Sequence, residues 1–163
     1  DSTAAVAIPV ERLFPVASAS SRRGLMGEYF GNRVLSGLPI MTRDEAINFA
    51  WGNSVPAPGV PEGGFSVRWS GFIKPTESGE YAFQTVSDDG IRVWVDNELV
   101  IDNWTAHPPT TDTSRLVTLT AGQRHLIRVE YFEQSGGATA QMLWRVPGAA
   151  AFSVMPLSVL TPL

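Results

Sequence analysis

Short runs in which apolar and polar residues alternate dominate the chain from residue 66 onward, and turn-forming residues separate them. The first run, Ser66–Ile73, places Val67, Trp69 and Ile73 on one face of an extended segment. Strand-length runs with a period of two indicate an antiparallel sandwich or barrel rather than helices. Further runs of this kind are Glu80–Ser87, Ile91–Val95, Leu99–Ile101, Leu116–Leu119, His125–Phe132 and the segment that contains Ala140, Met142 and Trp144.

The segments before residue 66 are less regular. Strands are predicted at Leu25–Phe30 and Ile47–Trp51, and a short helical turn is predicted near Thr42–Ala46. Residues 1–23 are rich in Ala, Ser and Val, and we expect them to form an extended N-terminal arm. Residues 24–163 then form one domain, which agrees with the usual length of a domain.

Composition excludes several classes of function. The chain has 163 residues, 44% hydrophobic and 17% charged, which is typical of a folded domain with a large core. It has no cysteine, so disulfide frameworks, thiol catalysis and cysteine-ligated metals are excluded. The net charge is −4 and the arginines are scattered, which disfavours nucleic acids and other polyanions as ligands. No apolar run is long enough for membrane insertion.

Several motifs, in the same order along the chain, resemble the anthrax protective-antigen fourteen-kilodalton-type domain. Together they cover residues 24–163, whereas any one of them alone would be weak evidence of a resemblance. The similar segments are Gly24–Phe30, Ile47–Trp51, Phe65–Gly71, Glu77–Phe83, Ser87–Asp96, Leu99–Trp104, Thr118–Gly122, Ile127–Phe132 and Gln141–Trp144. The resemblance implies an all-β fold, an antiparallel β-sandwich found in toxins, glycosidases, proteases and adhesins. Because some members have no known ligand, membership alone does not assign a function.

The resemblance also implies a calcium site. In carbohydrate-binding members, two adjacent aspartates joined by a cis peptide bind calcium, and sugar hydroxyls complete its coordination. Asp88 and Asp89 match this pair, and the loop Glu133–Thr139 resembles the second calcium loop, in which Gln134 offers a side-chain oxygen. Calcium prefers six to eight oxygen ligands, so two carboxylates alone are too few.

The residues themselves leave alternatives open at each of these positions. Asp-Gly is a common turn pair, and Asp88 is then simply an exposed turn residue. Gln134 beside Ser and Gly is also typical of a polar loop tip. Glu133 and Asp102 are further candidates to approach the ion, but each is equally suited to pair with an arginine.

Trp104 follows a predicted strand and is a candidate to stack on a sugar ring, although packing in the core explains it as well. His107 and His125 stand alone, without a second histidine at ligand spacing and without a nucleophile motif. The sequence therefore predicts a protein that is not an enzyme.

Two functions follow as hypotheses. The first is calcium-dependent binding to cell-surface or extracellular glycans by a secreted adhesion module. The second is a structural subunit of an extracellular fibre, in which residues 1–16 self-associate by adding a strand to a neighbour's sheet. Val6, Ile8 and Val10 alternate as such a strand requires, whereas Pro9 fits only where its missing N–H faces away from the ladder. The chain begins at Asp1 without an initiator methionine, which is typical of a processed mature chain or of a recombinant fragment.

Overall fold

The computed structural model of the chain describes residues 22–163. The arm predicted for residues 1–23, apart from its last two residues, and the predicted self-association through residues 1–16 lie outside the described residues. Within 22–163, no helix is long and apolar enough to cross a membrane.

Residues 22–163 form an antiparallel β-sandwich, as predicted. The strands are β1 (Leu25–Phe30), β2 (Met41–Glu45), β3 (Asn48–Gly52), β4 (Phe65–Ile73), β5 (Gly79–Asp88), β6 (Ile91–Val95), β7 (Glu98–Asn103), β8 (Thr110–Thr113), β9 (Val117–Leu119), β10 (His125–Glu133), β11 (Ala138–Arg145), β12 (Ser153–Val154) and β13 (Leu160–Pro162). A 3-10 turn, Leu157–Val159, precedes the last strand.

The strands make two sheets. The first has the order β2-β1-β4-β10-β6-β7, and β13 also pairs with β4. The second has the order β12-β11-β5-β8, with β3 pairing with β11 and β9 with β5. The central strands are β4 and β10 in the first sheet and β5 and β11 in the second, so the inward faces of these strands form the core.

The core contains the alternating residues that the sequence assigns to it. Their side chains are at most a few per cent exposed, and they interdigitate between the sheets as in other aligned sandwiches. From the first sheet they are Val67, Trp69, Ile73, Ile127, Val129 and Tyr131, and from the second Tyr81, Phe83, Thr85, Ala140, Met142 and Trp144. The predicted faces of these four strands are therefore confirmed.

The helical turn predicted near Thr42–Ala46 is wrong. Residues Met41–Glu45 form strand β2, which pairs antiparallel with β1, so that Glu45 lies opposite Leu25. The local sequence favours a turn only weakly, and pairing with a neighbouring strand overrides it because each residue then gains ladder hydrogen bonds.

One consequence of this register is a polar cluster at the edge of the core. The Glu45 side chain is 10% exposed. Its carboxylate accepts hydrogen bonds from the Tyr29 hydroxyl at 2.6 Å and from Nε1 of Trp69 at 2.7 Å. It also accepts one from Arg43. Burial and the nearby carboxylate of Glu45 raise the pKa of Tyr29, so its hydroxyl remains a donor. The cluster joins β1, β2 and β4.

We expect Glu45→Ala to lower the free energy of unfolding by about 2–4 kcal/mol, because it leaves buried donors unpaired. Urea denaturation measures this. Glu98→Ala is the matched control, since Glu98 pairs with Arg115 on the exposed surface and is expected to change stability by less than about 1 kcal/mol. Equal effects of the two substitutions would contradict the structural role of the cluster.

Candidate functional site

The candidate site lies where two connections between the sheets run side by side. Strand β5 ends at Asp88 in the second sheet, and the chain enters the first sheet at Ile91. Strand β10 ends at Glu133 in the first sheet, and the chain returns to the second at Ala138. Because β5 pairs with β11 and β6 pairs with β10, the two crossovers must lie next to each other at one end of the sandwich.

Three carboxylates meet at these crossovers. Asp88, Asp89 and Glu133 each place one carboxylate oxygen so that the three oxygens lie within 4.8 Å of one another. Glu133 is fully buried, Asp89 is 6% exposed, and Asp88 is half-buried. The Asp88–Asp89 peptide bond is cis, as the family resemblance implies. Like charges this close disfavour full ionisation unless a proton or a cation offsets them.

Backbone donors orient Asp89. Its Oδ1 accepts a hydrogen bond from the N–H of His107 at 2.9 Å, and its Oδ2 accepts one from the N–H of Gln134 at 2.8 Å. The backbone carbonyl of Asp88 accepts from the hydroxyl of Tyr131. Asp89 therefore connects three loops, and its carboxylate position is determined by the backbone rather than by solvent.

The environment of the Glu133 carboxylate indicates most clearly that the site binds a proton or a cation. Its Oε2 lies 3.3 Å from the Tyr131 hydroxyl, whereas its Oε1 is buried without a hydrogen-bond partner among the described residues. Burial, followed by the charges of Asp89 and Asp88, raises the pKa of Glu133 to about 7. Burial and the charge of Asp89 also raise the pKa of Asp88. A buried carboxylate oxygen without a partner is costly unless it binds a proton or a cation.

Sequence reasoning left the role of Glu133 open between the ion and an arginine. The structure places it with the aspartates, and it makes no ion pair with any arginine of residues 22–163. Knowledge of the strand register would have identified Glu133. It ends β10, which pairs with β6, and β6 begins just after Asp89. Asp102, the other open candidate, is exposed and outside the cluster.

Gln134 lies beside the carboxylates, but its side chain has a different partner. The Oε1 of Gln134 accepts a hydrogen bond from Nη1 of Arg33 at 2.7 Å, and only its backbone N–H contacts Asp89. The sequence did not single out Arg33, which lies in the loop between β1 and β2, 101 residues away. A metal-ligand role for Gln134 stays a prediction.

Trp104 is half-buried and lines a surface groove next to the carboxylates. Its ring meets Phe132 edge-on, with centroids 4.8 Å apart at 72°, and the guanidinium of Arg92 lies 4.0 Å from its centroid. The indole packs against Phe132 outside the hydrophobic core cluster and also borders open space, so stacking on a sugar ring stays a prediction. The groove has a volume of about 260 Å³ and is lined by Arg33, Val34, Trp104, Thr105, Ala106, Phe132 and Gln134.

Comparison with known proteins identifies the family. The PA14 domain model matches residues 21–157, which is most of the chain. The chain belongs to the PA14 domain family. This confirms the family resemblance described above, since PA14 is the protective-antigen-type domain.

Relatives place the same domain in longer proteins. The chain is 38% identical over 121 residues to anti-sigma-I factor RsgI3 of Acetivibrio thermocellus, covering 74% of this chain but 19% of that protein. A solved anti-sigma factor domain-containing protein matches with a TM-score of 0.83 and 34% identity, over 88% of this chain and 49% of its own. A PA14 sugar-binding domain from an RTX adhesin matches with a TM-score of 0.72 and 18% identity, over 86% and 98%.

In this PA14 domain, Gly90, which follows the two aspartates, lies in close contact with the ring of Phe132. A Cβ at Gly90 would overlap the ring of Phe132, whereas a Cβ at Gly137 meets nothing within 4 Å. We expect Gly90→Ala to lower the free energy of unfolding by about 1–3 kcal/mol through overpacking. Gly137→Ala in the adjacent loop is the control and is expected to shift it by less than about 0.5 kcal/mol. Chemical denaturation measures both effects. An unchanged free energy of unfolding in Gly90→Ala would show that the Phe132 ring can move to make room for the added methyl group.

The raised pKa of Glu133 predicts that the stability of the protein depends on pH when a chelator keeps the site free of calcium. Between its ordinary value of 4.5 and about 7, the folded state binds more protons at Glu133 than the unfolded state does. Its contribution to the free energy of unfolding therefore falls as pH rises through this window, by at most about 3 kcal/mol. Glu133→Gln removes that contribution, so stability curves of the two proteins should converge at low pH and separate at neutral pH. If the two stability curves stayed parallel over the whole pH range, the raised pKa of Glu133 would be contradicted.

Proposed function

We infer that this PA14 domain binds carbohydrate through a calcium ion, and that it does so outside the cell as an adhesion module. The observation that carries the proposal is the buried Oε1 of Glu133, which has no hydrogen-bond partner among residues 22–163 and lies with the carboxylates of Asp88 and Asp89. The sugar-binding domain of the RTX adhesin, which shares this fold, supports the choice of a carbohydrate ligand.

The donor set fits calcium best among the common metals. Asp88, Asp89 and Glu133 offer only carboxylate oxygens, and neither histidine nor cysteine belongs to the cluster. Hard oxygen donors suit calcium and magnesium, and calcium tolerates irregular geometry and partial dehydration better. Three carboxylates supply three to six oxygens, depending on whether each binds through one or both, which leaves positions for other ligands.

The groove beside the carboxylates suits a sugar ring. A bound calcium ion supplies coordination positions that vicinal sugar hydroxyls fill in place of water. Trp104 and Phe132 form an apolar wall of the groove, against which the C–H face of a sugar can pack. Arg92 and Phe132 fix the indole of Trp104, so little conformational entropy is lost when a ligand binds there.

The proposed location follows from calcium affinity. A site with only three protein carboxylates, which leaves several coordination positions to water or sugar, is expected to bind in the range of about 10⁻⁴–10⁻³ M that is typical of extracellular modules. Such a site fills only where calcium is abundant. The anti-sigma factor relative is much longer than this chain, so its role is not carried over. We propose adhesion because the groove has the size of a sugar ring.

Calcium titration of the chelated protein by calorimetry tests the site. We expect Asp89→Asn and Glu133→Gln each to weaken calcium binding at least about tenfold, since each removes a charged ligand. Asp102→Asn is the matched control, because Asp102 is an exposed carboxylate outside the cluster, and its effect should be less than about twofold. Circular dichroism shows whether each variant is folded. Unchanged binding in both site variants would refute the assignment.

A glycan array tests the function. We expect the protein to bind glycans in the presence of calcium. This binding should be lost when a chelator is added and should return when calcium is restored. Binding that persists in chelator would show that the sugar site does not use the ion. Calcium binding without recognition of any glycan would contradict the carbohydrate-binding role.

A further inference from the structure

Arg33 is the one charged residue that lines the groove among the residues the structure describes. It lies in the loop between β1 and β2 and lines the groove together with Trp104 and Phe132. Since the rest of the lining is apolar or neutral, this guanidinium determines the charge that a ligand meets beside the carboxylate cluster.

The backbone on both sides of Arg33 is ordered by hydrogen bonds. The Oδ1 of Asn32 accepts from the N–H of Val34 at 3.1 Å and from the N–H of Ser36 at 3.2 Å. The hydroxyl of Ser66, on β4, donates to the carbonyl of Asn32 at 2.5 Å and accepts from the N–H of Leu35 at 3.1 Å. The loop is therefore attached to the first sheet at the point where Arg33 enters the groove.

The side chain of Arg33 is also oriented relative to the carboxylates. Its Nη1 donates to Oε1 of Gln134 at 2.7 Å, and the backbone N–H of Gln134 donates to Oδ2 of Asp89 at 2.8 Å. A chain of two hydrogen bonds thus links the guanidinium to the proposed calcium ligand. A ligand that contacts both groups meets them at a defined separation.

Arg33 differs from the arginines that serve the fold. Arg43, Arg68 and Arg92 each pair with a glutamate on a neighbouring strand or on their own. Arg33 makes no ion pair with a carboxylate of residues 22–163, and its hydrogen bond to a neutral amide leaves its positive charge uncompensated. A guanidinium has five N–H donors in a planar fork, so donors remain for a second, charged partner.

We propose that Arg33 makes this site selective for sugars that carry a carboxylate, that is, for uronic acids in a glycan. The inference rests on the function proposed above and names its ligand class. Planar carboxylates match the guanidinium fork, and hydrogen bonds between two charged groups are roughly twice as strong as those between neutral groups. The groove has a volume of about 260 Å³, enough for a single sugar ring. In the proposed complex the vicinal hydroxyls of that ring face the ion while its carboxylate faces Arg33.

The test compares sugars that differ only in this group. Methyl galacturonoside against methyl galactoside, and methyl glucuronoside against methyl glucoside, are titrated into the calcium-saturated protein at low salt. We expect the acidic sugar of at least one pair to bind about fivefold or more tightly, and Arg33→Gln to reduce that preference below about twofold. The neutral sugar is titrated into both proteins as the reference, so the preference is the ratio of the acidic to the neutral affinity within each protein.

Arg124→Gln is the matched control. Arg124 is an exposed arginine over the ring of Phe72, at the far end of β10, so its loss changes the net charge equally without touching the groove. Equal affinity for acidic and neutral sugars, or an equal loss of preference in Arg124→Gln, would overturn the proposal while leaving the proposed function intact. Failure to bind any sugar in calcium would refute both.

Discussion

The site of this protein depends on two strand pairings that share one end of the sandwich. Strand β5 pairs with β11 in one sheet, and β6 pairs with β10 in the other, so the two crossovers between the sheets are forced together. This arrangement brings Asp88 and Asp89 from one crossover next to Glu133 from the other. The register of the paired strands determines which residue reaches the site, because a slip of one residue would turn every side chain to the opposite face.

Electrostatics then explains why the site needs a ligand. Three carboxylates within 4.8 Å, one of them fully buried, are unfavourable when all are ionised. Protons relieve this at low pH, and in the proposed function a calcium ion relieves it at neutral pH, so that the same residue, Glu133, links stability, pH and calcium. Backbone donors to Asp89 keep the cluster in place in either case.

In our proposal, the groove gives the carboxylate cluster its selectivity. Its apolar wall of Trp104 and Phe132 is general for sugar rings, whereas Arg33 distinguishes acidic from neutral ones in our proposal. The chain spans only 19% of the anti-sigma-I factor relative, so the PA14 family supplies a common sandwich to longer proteins of different kinds. The fold alone does not assign a function, and binding residues often lie on the loops that connect the strands.

The sequence by itself determined the sandwich, because alternation and turn residues are local properties, and it identified the adjacent aspartates, because they are neighbours in the chain. It did not determine β2, which depends on pairing with β1 and was predicted as a turn. The sequence left the role of Glu133 open and did not single out Arg33, which contacts Gln134 across 101 residues. Only the tertiary structure brought them to the site, because strand pairing between distant segments, rather than any local pattern, decides which crossovers and loops become neighbours.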